Sequence, residues 1–290
     1  MATRGTPVRL LTLRQLLAPA RRESYAVPHF NVCNLETVQA VLAVAEEMGS
    51  PVILGIHPLE VGYAGASTMV EVVRSVGEGR RLDVAVHLDH GTTKEDIMTC
   101  IRGGFTSVMY DGSALVLDEN LAVTKWVVEA AHAAGLSVEG EIGAIGQTGE
   151  FGEAVANPQL ADVGSAVALA GTGIDCLALA YGSAHGFYTA EPSLDFDLLA
   201  AVADRVDIPI VLHGGTGIPE DQIRKSIDLG VAKINFSAVL RRAFISAMRE
   251  HLELQPDELS IMAVLGAGSE KMKAPLRDCI ALCRSAGRVS

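Results

Sequence analysis

Eight short apolar runs, each separated from the next by a stretch of helical spacing, constrain this chain more than any other feature. They cover residues 25–31, 51–57, 84–89, 105–111, 136–141, 175–180, 209–213 and 231–235. Runs of this length that are apolar on both faces suit parallel strands covered by helices. The intervening caps and stops are legible. Asn34 begins a helix over 35–48 that Gly49 stops. Thr92 or Thr93 begins one that runs to Arg102 and ends at Gly103-Gly104, and Asp118 begins one to Ala134, stopped by Gly135. Further helices are expected over 10–21, 67–76, from Pro158 or Gln159 to Ala170, over 196–206, from Pro219 to Gly230, and over 238–252 and 269–286. Eight strands in alternation with helices predict a closed (β/α)8 TIM barrel, a single domain over 1–290 with a C-terminal helical extension. The competitor is a doubly wound open sheet. That fold wants a glycine-rich phosphate turn after the first strand, where this chain has Asn31-Val-Cys-Asn34.

Composition narrows the function classes. The net charge of −12 argues against general nucleic-acid binding, which wants a basic surface. It leaves room for an anionic small molecule held by backbone N–H groups. No apolar run approaches the roughly 18 residues of a membrane span, and residues 1–14 lack a secretory signal pattern. Five cysteines at irregular spacing predict free thiols in a reducing, cytoplasmic compartment. Cys279 and Cys283 share one helical face, as packing residues or as a two-cysteine metal clip.

A barrel does its chemistry at the C-terminal ends of its strands. Asn31, His57, Asp89, His90, Asp111, Glu139, Glu141, His185, His213 and Asn235 fall there, while most strand interiors read as apolar. Adjacent residues on a strand point to opposite sides, so Asp89 and His90 share a cleft only at a frayed strand end. Alone, this pair reads equally as a buried structural histidine with its partner. Two further His-Gly pairs, His185-Gly186 and His213-Gly214, follow apolar runs in the same way. Three imidazoles on one rim suit a catalytic zinc that keeps a position for water or substrate. Gly186 and the run Gly214-Gly215-Thr216-Gly217 offer backbone N–H groups to an oxyanion, or are simply tight-turn glycines. The glycine-rich stretch 143–157 has no period and reads as a long functional loop.

Six motifs in one order carry a resemblance over residues 10–288: His87-Leu-Asp-His-Gly91, Tyr110-Asp-Gly-Ser113, Glu139-Gly-Glu-Ile-Gly143, Gly182-Ser-Ala-His-Gly186, Leu212-His-Gly-Gly-Thr216 and Lys233-Ile-Asn-Phe-Ser237. Together they resemble the class II, zinc-dependent ketose-bisphosphate aldolases, in the branch of the tagatose- and fructose-bisphosphate enzymes. The resemblance implies reversible cleavage of a ketose (bis)phosphate into dihydroxyacetone phosphate and an aldehyde, through a metal-stabilised enediolate. It implies zinc on His90, His185 and His213, with Glu141 at or near the metal, and a proton on the substrate C4 oxygen exchanged by Asp89. Gly186, Gly214, Gly215, Thr216, Asn235 and Ser237 match the dihydroxyacetone-phosphate pocket, and Asn31 is assigned to the substrate with them. A monovalent cation (Na+ or K+) beside the phosphate and a homo-oligomer, dimer or tetramer, are also implied. Neither nucleic acid nor membrane is an expected partner. Lys233 on the last strand offers a Schiff base, which the three-histidine site makes unnecessary.

Three positions depart from the family pattern. His57 stands where Ser or Thr is usual and reads as a metal ligand, a substrate contact or a solvated turn residue. Ala238 stands where a phosphate-binding Thr is usual. The carbon-proton base maps to Glu150, with Glu153 in reserve. Alternatives to the aldolase are a metal-dependent epimerase or isomerase, an aldolase of a deoxy or sulfonated ketose phosphate, and a non-catalytic sugar-phosphate-binding subunit.

Overall fold

The computed structural model of the protein describes residues 8–147, 159–188 and 190–289. Eight parallel strands close on themselves: β1 (Val27–Asn31), β2 (Val52–Ile56), β3 (Asp83–Gly91), β4 (Ser107–Tyr110), β5 (Ser137–Ile142), β6 (Cys176–Leu179), β7 (Ile210–Leu212) and β8 (Val231–Phe236). Each pairs with its successor, and β8 pairs with β1 to complete the ring. This is the (β/α)8 barrel that the alternation predicts. The helices are α1 (Leu13–Arg22), α2 (Leu35–Met48), α3 (Pro58–Ala64), α4 (Ala66–Gly77), α5 (Lys94–Gly103), α6 (Leu117–Ala133), α7 (Val163–Ala170), α8 (Phe196–Ala203), α9 (Glu220–Asp228), α10 (Ala238–Leu254) and α11 (Ile261–Leu282).

One end of the barrel is plugged. Thr12 and Gln15 form a capping box that starts α1. Leu13, Leu16, Leu17 and Ala20 then fall on one face and pack against Val27, Ile53, Ala85 and Val211 inside the barrel. The two-residue period of a strand puts alternate residues on the inner face. Those faces run from apolar at the plugged end to polar at the open end: Val27, His29, Asn31 on β1 and Ala85, His87, Asp89 on β3. The middle of the barrel is therefore not apolar, contrary to the sequence reading. His29, His87, Glu139 and Lys233 are all fully buried there. Gly55 on β2 makes the room: a Cβ on it would lie 1.8 Å from His29 Nε2. The outward residues, such as Val84, Val86 and Leu88, join the core shared with the helices.

Several boundaries differ from expectation. The helix expected over 67–76 is preceded by α3, because His57 and Glu60 form a capping box with Pro58 in the first turn. The helix expected from Pro158 or Gln159 begins at Val163, where the Asp162 carboxylate accepts from Ser165 N at 2.9 Å; Gln159 instead bridges Ala144. Asp118 is not the cap of α6 but lies in its first turn, where its charge still favours the helix dipole. α11 starts at Ile261, capped by Ser260, and carries Pro275 inside it. A short strand, Arg9–Leu10, pairs with β3 outside the ring.

Candidate active site

The polar residues meet at the open end, and β3 shows how. The strand runs on through Gly91, and its register against β4 shifts between Leu88 and Gly91. His90 sits in this irregularity with φ +56°, a left-handed conformation that costs a non-glycine residue about 1–3 kcal/mol. A regular strand would send Asp89 and His90 to opposite faces. The bulge with its left-handed residue turns both toward the barrel axis, so backbone strain does what strand fraying was expected to do.

Three imidazoles converge there. His213 Nδ1 lies 3.1 Å from His90 Nε2 and 3.3 Å from His185 Nε2. Tetrahedral zinc with bonds of about 2.0–2.1 Å sets its ligand nitrogens about 3.3 Å apart. The spacing and the all-imidazole donor set thus fit zinc. On two of the three the opposite ring nitrogen is tied to a carboxylate, the kind of partner that fixes tautomer and ring orientation in metal-ligating histidines. His90 Nδ1 lies 2.8 Å from Asp111 Oδ2, and His213 Nε2 lies 2.8 Å from Glu139 Oε1. Asp111 is itself held by Ser113, which donates from Oγ at 2.6 Å and from N at 3.0 Å. Burial disfavours the Asp111 charge, but His90 and Ser113 outweigh it and hold the carboxyl well below its usual range.

Glu141 falls on the other side of His90. Its Oε2 is 3.8 Å from His90 Nδ1, the nitrogen turned away from the other two histidines, and it groups with Asp111. Burial, with the negative charge of Asp111 beside it, pushes the Glu141 carboxyl up. Asp89 is gripped from two sides, accepting from Asn31 Nδ2 at 2.8 Å and Asn235 Nδ2 at 3.4 Å. Burial opposes its charge, yet His29, His90, His213 and Lys233 hold it ionised, well below the usual range.

These groups open into a cavity of about 290 Å³. Asn31, Gly186, Gly214, Thr216, Asn235 and Ser237 all line it. Gly215 is set back and donates from its N–H to Asn235 O at 2.9 Å. Gly214 has φ +65°, and a Cβ on it would lie 2.1 Å from Ala184 O, so only glycine closes this turn. The first turn of α10, with no side-chain cap on Ser237, opens at the same wall. Lys233 lies below the cavity, with Nζ 2.8 Å from Glu139 Oε2. Glu150 and Glu153 lie outside the described residues.

Some working parts escaped the sequence reading. Tyr188 Oη accepts from Ala184 N at 2.8 Å and donates to Gly214 O at 3.0 Å, stapling the loop of His185 to the loop after His213. Burial pushes its phenol up to about 12, which keeps the donor proton in place. Nothing local marks Tyr188, because its partners lie on two different loops. His29 was findable: counting back by two from Asn31 lands on it, as His87 stands two before Asp89.

Comparisons with known proteins agree with this geometry. The pattern of the family described as "Fructose-bisphosphate aldolase class-II" matches residues 11–288. The fructose-bisphosphate aldolase of Geobacillus stearothermophilus is 43% identical over 272 residues, covering 91% of this chain and 93% of that protein. The D-tagatose-1,6-bisphosphate aldolase subunit GatY of Klebsiella oxytoca is 38% identical over 283 residues, covering 97% and 99%. The crystal structure of the YdjI aldolase from Escherichia coli K12 superposes with a TM-score of 0.85 at 32% identity, covering 97% of this chain and 100% of that one. No described helix is long and apolar enough to cross a membrane. The barrel, the ordered motifs along it and the relatives that match it nearly end to end place the chain in the class II fructose-bisphosphate aldolase family of metal-dependent carbon–carbon lyases.

Proposed function

We propose that this protein cleaves a phosphorylated ketose into dihydroxyacetone phosphate and an aldehyde, with zinc on His90, His185 and His213. The observation that carries the assignment is the convergence of three imidazoles at 3.1 and 3.3 Å beside a doubly anchored Asp89. Zinc at such a site supplies Lewis-acid polarisation of the substrate carbonyl. The substrate phosphate belongs on the wall made by Gly186, Gly214, Thr216 and the first turn of α10, where backbone N–H groups and the helix dipole favour an anion. The buried hydroxyls of Ser183 and Thr216, both without a hydrogen-bond partner, suit a Na+ or K+ beside that phosphate.

With the phosphate there, Asp89 is assigned to the C4 hydroxyl of the substrate. As a carboxylate it takes that proton when the C3–C4 bond breaks, and it returns the proton when the bond forms. Asn31 and Asn235 keep its oxygens aimed while this happens. Transfer of the carbon proton at C3 is assigned to Glu150, with Glu153 in reserve. Glu141 acts through His90 and Asp111 rather than beside the other two imidazoles.

The test is dihydroxyacetone phosphate release from a ketose phosphate, measured with zinc, with chelator and with K+ omitted. Release should disappear with chelator and fall by about 10²–10⁴-fold in Asp89→Asn, the usual range for a lost general acid–base. Undiminished release in Asp89→Asn sinks the role given to it. Isomerised sugar without triose would favour the epimerase.

The chain is also assigned to a homo-oligomer. α10 and α11 form an arm whose turn exposes Leu254, Leu259, Ile261 and Met262 by 74–93%. Apolar side chains clustered at one exposed end mark a contact surface. A mass by light scattering equal to one chain would refute this.

A further inference from the structure

The cavity has two ends. β7, β8 and the first turn of α10 supply the anion wall, and the β2–α3 connection supplies a second wall with His57, Pro58 and Leu59. The backbone of this wall is held from behind. His57 N donates to Glu60 Oε2 at 2.9 Å, and Glu60 Oε1 accepts from Arg241 Nη2 at 2.7 Å. His57 Nδ1 accepts from Leu59 N at 3.2 Å and His57 O accepts from Glu60 N at 2.8 Å, so the amides of residues 57, 59 and 60 are all taken, and Pro58 has none. The ring stands 6.5 Å from that of His90, close enough for one sugar unit to bridge the two. The wall therefore offers no spare backbone N–H, and it faces the cavity with the His57 ring and two apolar side chains.

Among the described residues lining the cavity, none is a lysine or an arginine. The cations nearest to them in the chain are committed elsewhere. Arg241 is bound to Glu60 and to Ser237 Oγ, and Lys94 Nζ lies 4.5 Å over the ring of Trp126. Two segments extend the count by sequence alone. Residues 143–158 contain Glu150 and Glu153 and no lysine or arginine, and the exposed end of the arm, 251–262, has neither. A phosphate dianion taken from water needs charged donors, or spare backbone N–H groups at a helix N-terminus such as the anion wall offers, to offset its desolvation. A hydroxyl needs one neutral partner, and carbon needs none.

We propose that the His57–Pro58–Leu59 wall receives the far end of the substrate and that this end is an uncharged hydroxylated terminus, so that the preferred substrate is a ketose 1-phosphate and not a ketose 1,6-bisphosphate. Pro58 and Leu59 cover the carbons of that end. This rests on the aldolase assignment above.

The experiment separates the two claims. Exchange of the C3 proton of dihydroxyacetone phosphate with deuterated solvent needs no far end, so it reads the aldolase chemistry alone. The zinc-loaded enzyme is then assayed with fructose and tagatose, each as the 1-phosphate and as the 1,6-bisphosphate. Exchange with a kcat/KM at least tenfold higher for a 1-phosphate supports the proposal. So does a Leu59→Arg variant, at a position 60% exposed, in which the ratio moves at least tenfold toward the bisphosphate. Exchange with a bisphosphate preferred overturns the proposal and leaves the aldolase standing. Absence of exchange overturns both.

Discussion

In a His213→Ala variant, zinc binding and triose release are expected to vanish together. Losing a group that only supports a metal ligand costs about 10–100-fold in metal affinity, so losing the ligand itself should cost more. His213 is also the hinge of the cluster, with Nδ1 facing both other imidazoles and Nε2 on Glu139. Its loss strips one donor from the site and leaves the Glu139 carboxylate, fully buried, with one partner fewer. Zinc content by metal analysis, with a competing chelator to measure affinity, checks the first effect. Circular dichroism checks that the barrel survives. A variant that retains one zinc per chain at wild-type affinity would remove His213 from the ligand set.

The second large effect is on stability. Lys233→Met is expected to destabilise the protein by about 3–5 kcal/mol, the usual cost of breaking a buried ion pair from one side. Lys233 and Glu139 are both fully buried, and their 2.8 Å contact spans the barrel between β5 and β8. Burial alone would raise the Glu139 carboxyl. Lys233 first, then His213 and His87, hold it well below its usual range. A carboxyl depressed in the folded state contributes stability above its unfolded pKa, and this is lost as pH falls through the folded value. The wild type should therefore weaken on acidification. In Lys233→Met the carboxyl loses its main support, so the deficit is largest near neutrality and narrows toward acid as Glu139 takes a proton. Urea denaturation of the zinc-free protein across pH measures this. Lys233→Met with Glu139→Gln should recover much of the loss, because the unpaired charge is gone. Equal losses in the single and double variants would show that volume, not charge, holds the barrel centre.

The same pair shows where sequence reading stopped. Lys233 and Glu139 were visible as polar residues near strand ends, and Lys233 even suggested a Schiff base. Nothing in a one-dimensional pattern says that two residues 94 positions apart meet across a closed sheet. α3 was missed for another reason. The pattern of 58–64 is too short to show a period, and only the His57–Glu60 capping box reveals it. The late start of α7 is a contest between two plausible starts, Pro158 and Asp162, won by the carboxylate that finds a backbone N–H.

By itself the sequence determined the eightfold alternation, and with it the closed barrel, because apolar period and cap chemistry are local properties. It also determined which residues lie at the open end, since strand direction puts the end of each run on one rim. Only the tertiary structure decided how those residues share the work. The left-handed His90 turns a neighbouring pair into one cleft, Asp111 and Glu139 each claim one imidazole, and Glu141 is placed on the far side of His90. Tyr188 staples two loops that the chain keeps 26 residues apart. These are distances between strands that meet only when the sheet closes, and ring closure is a property of the whole chain.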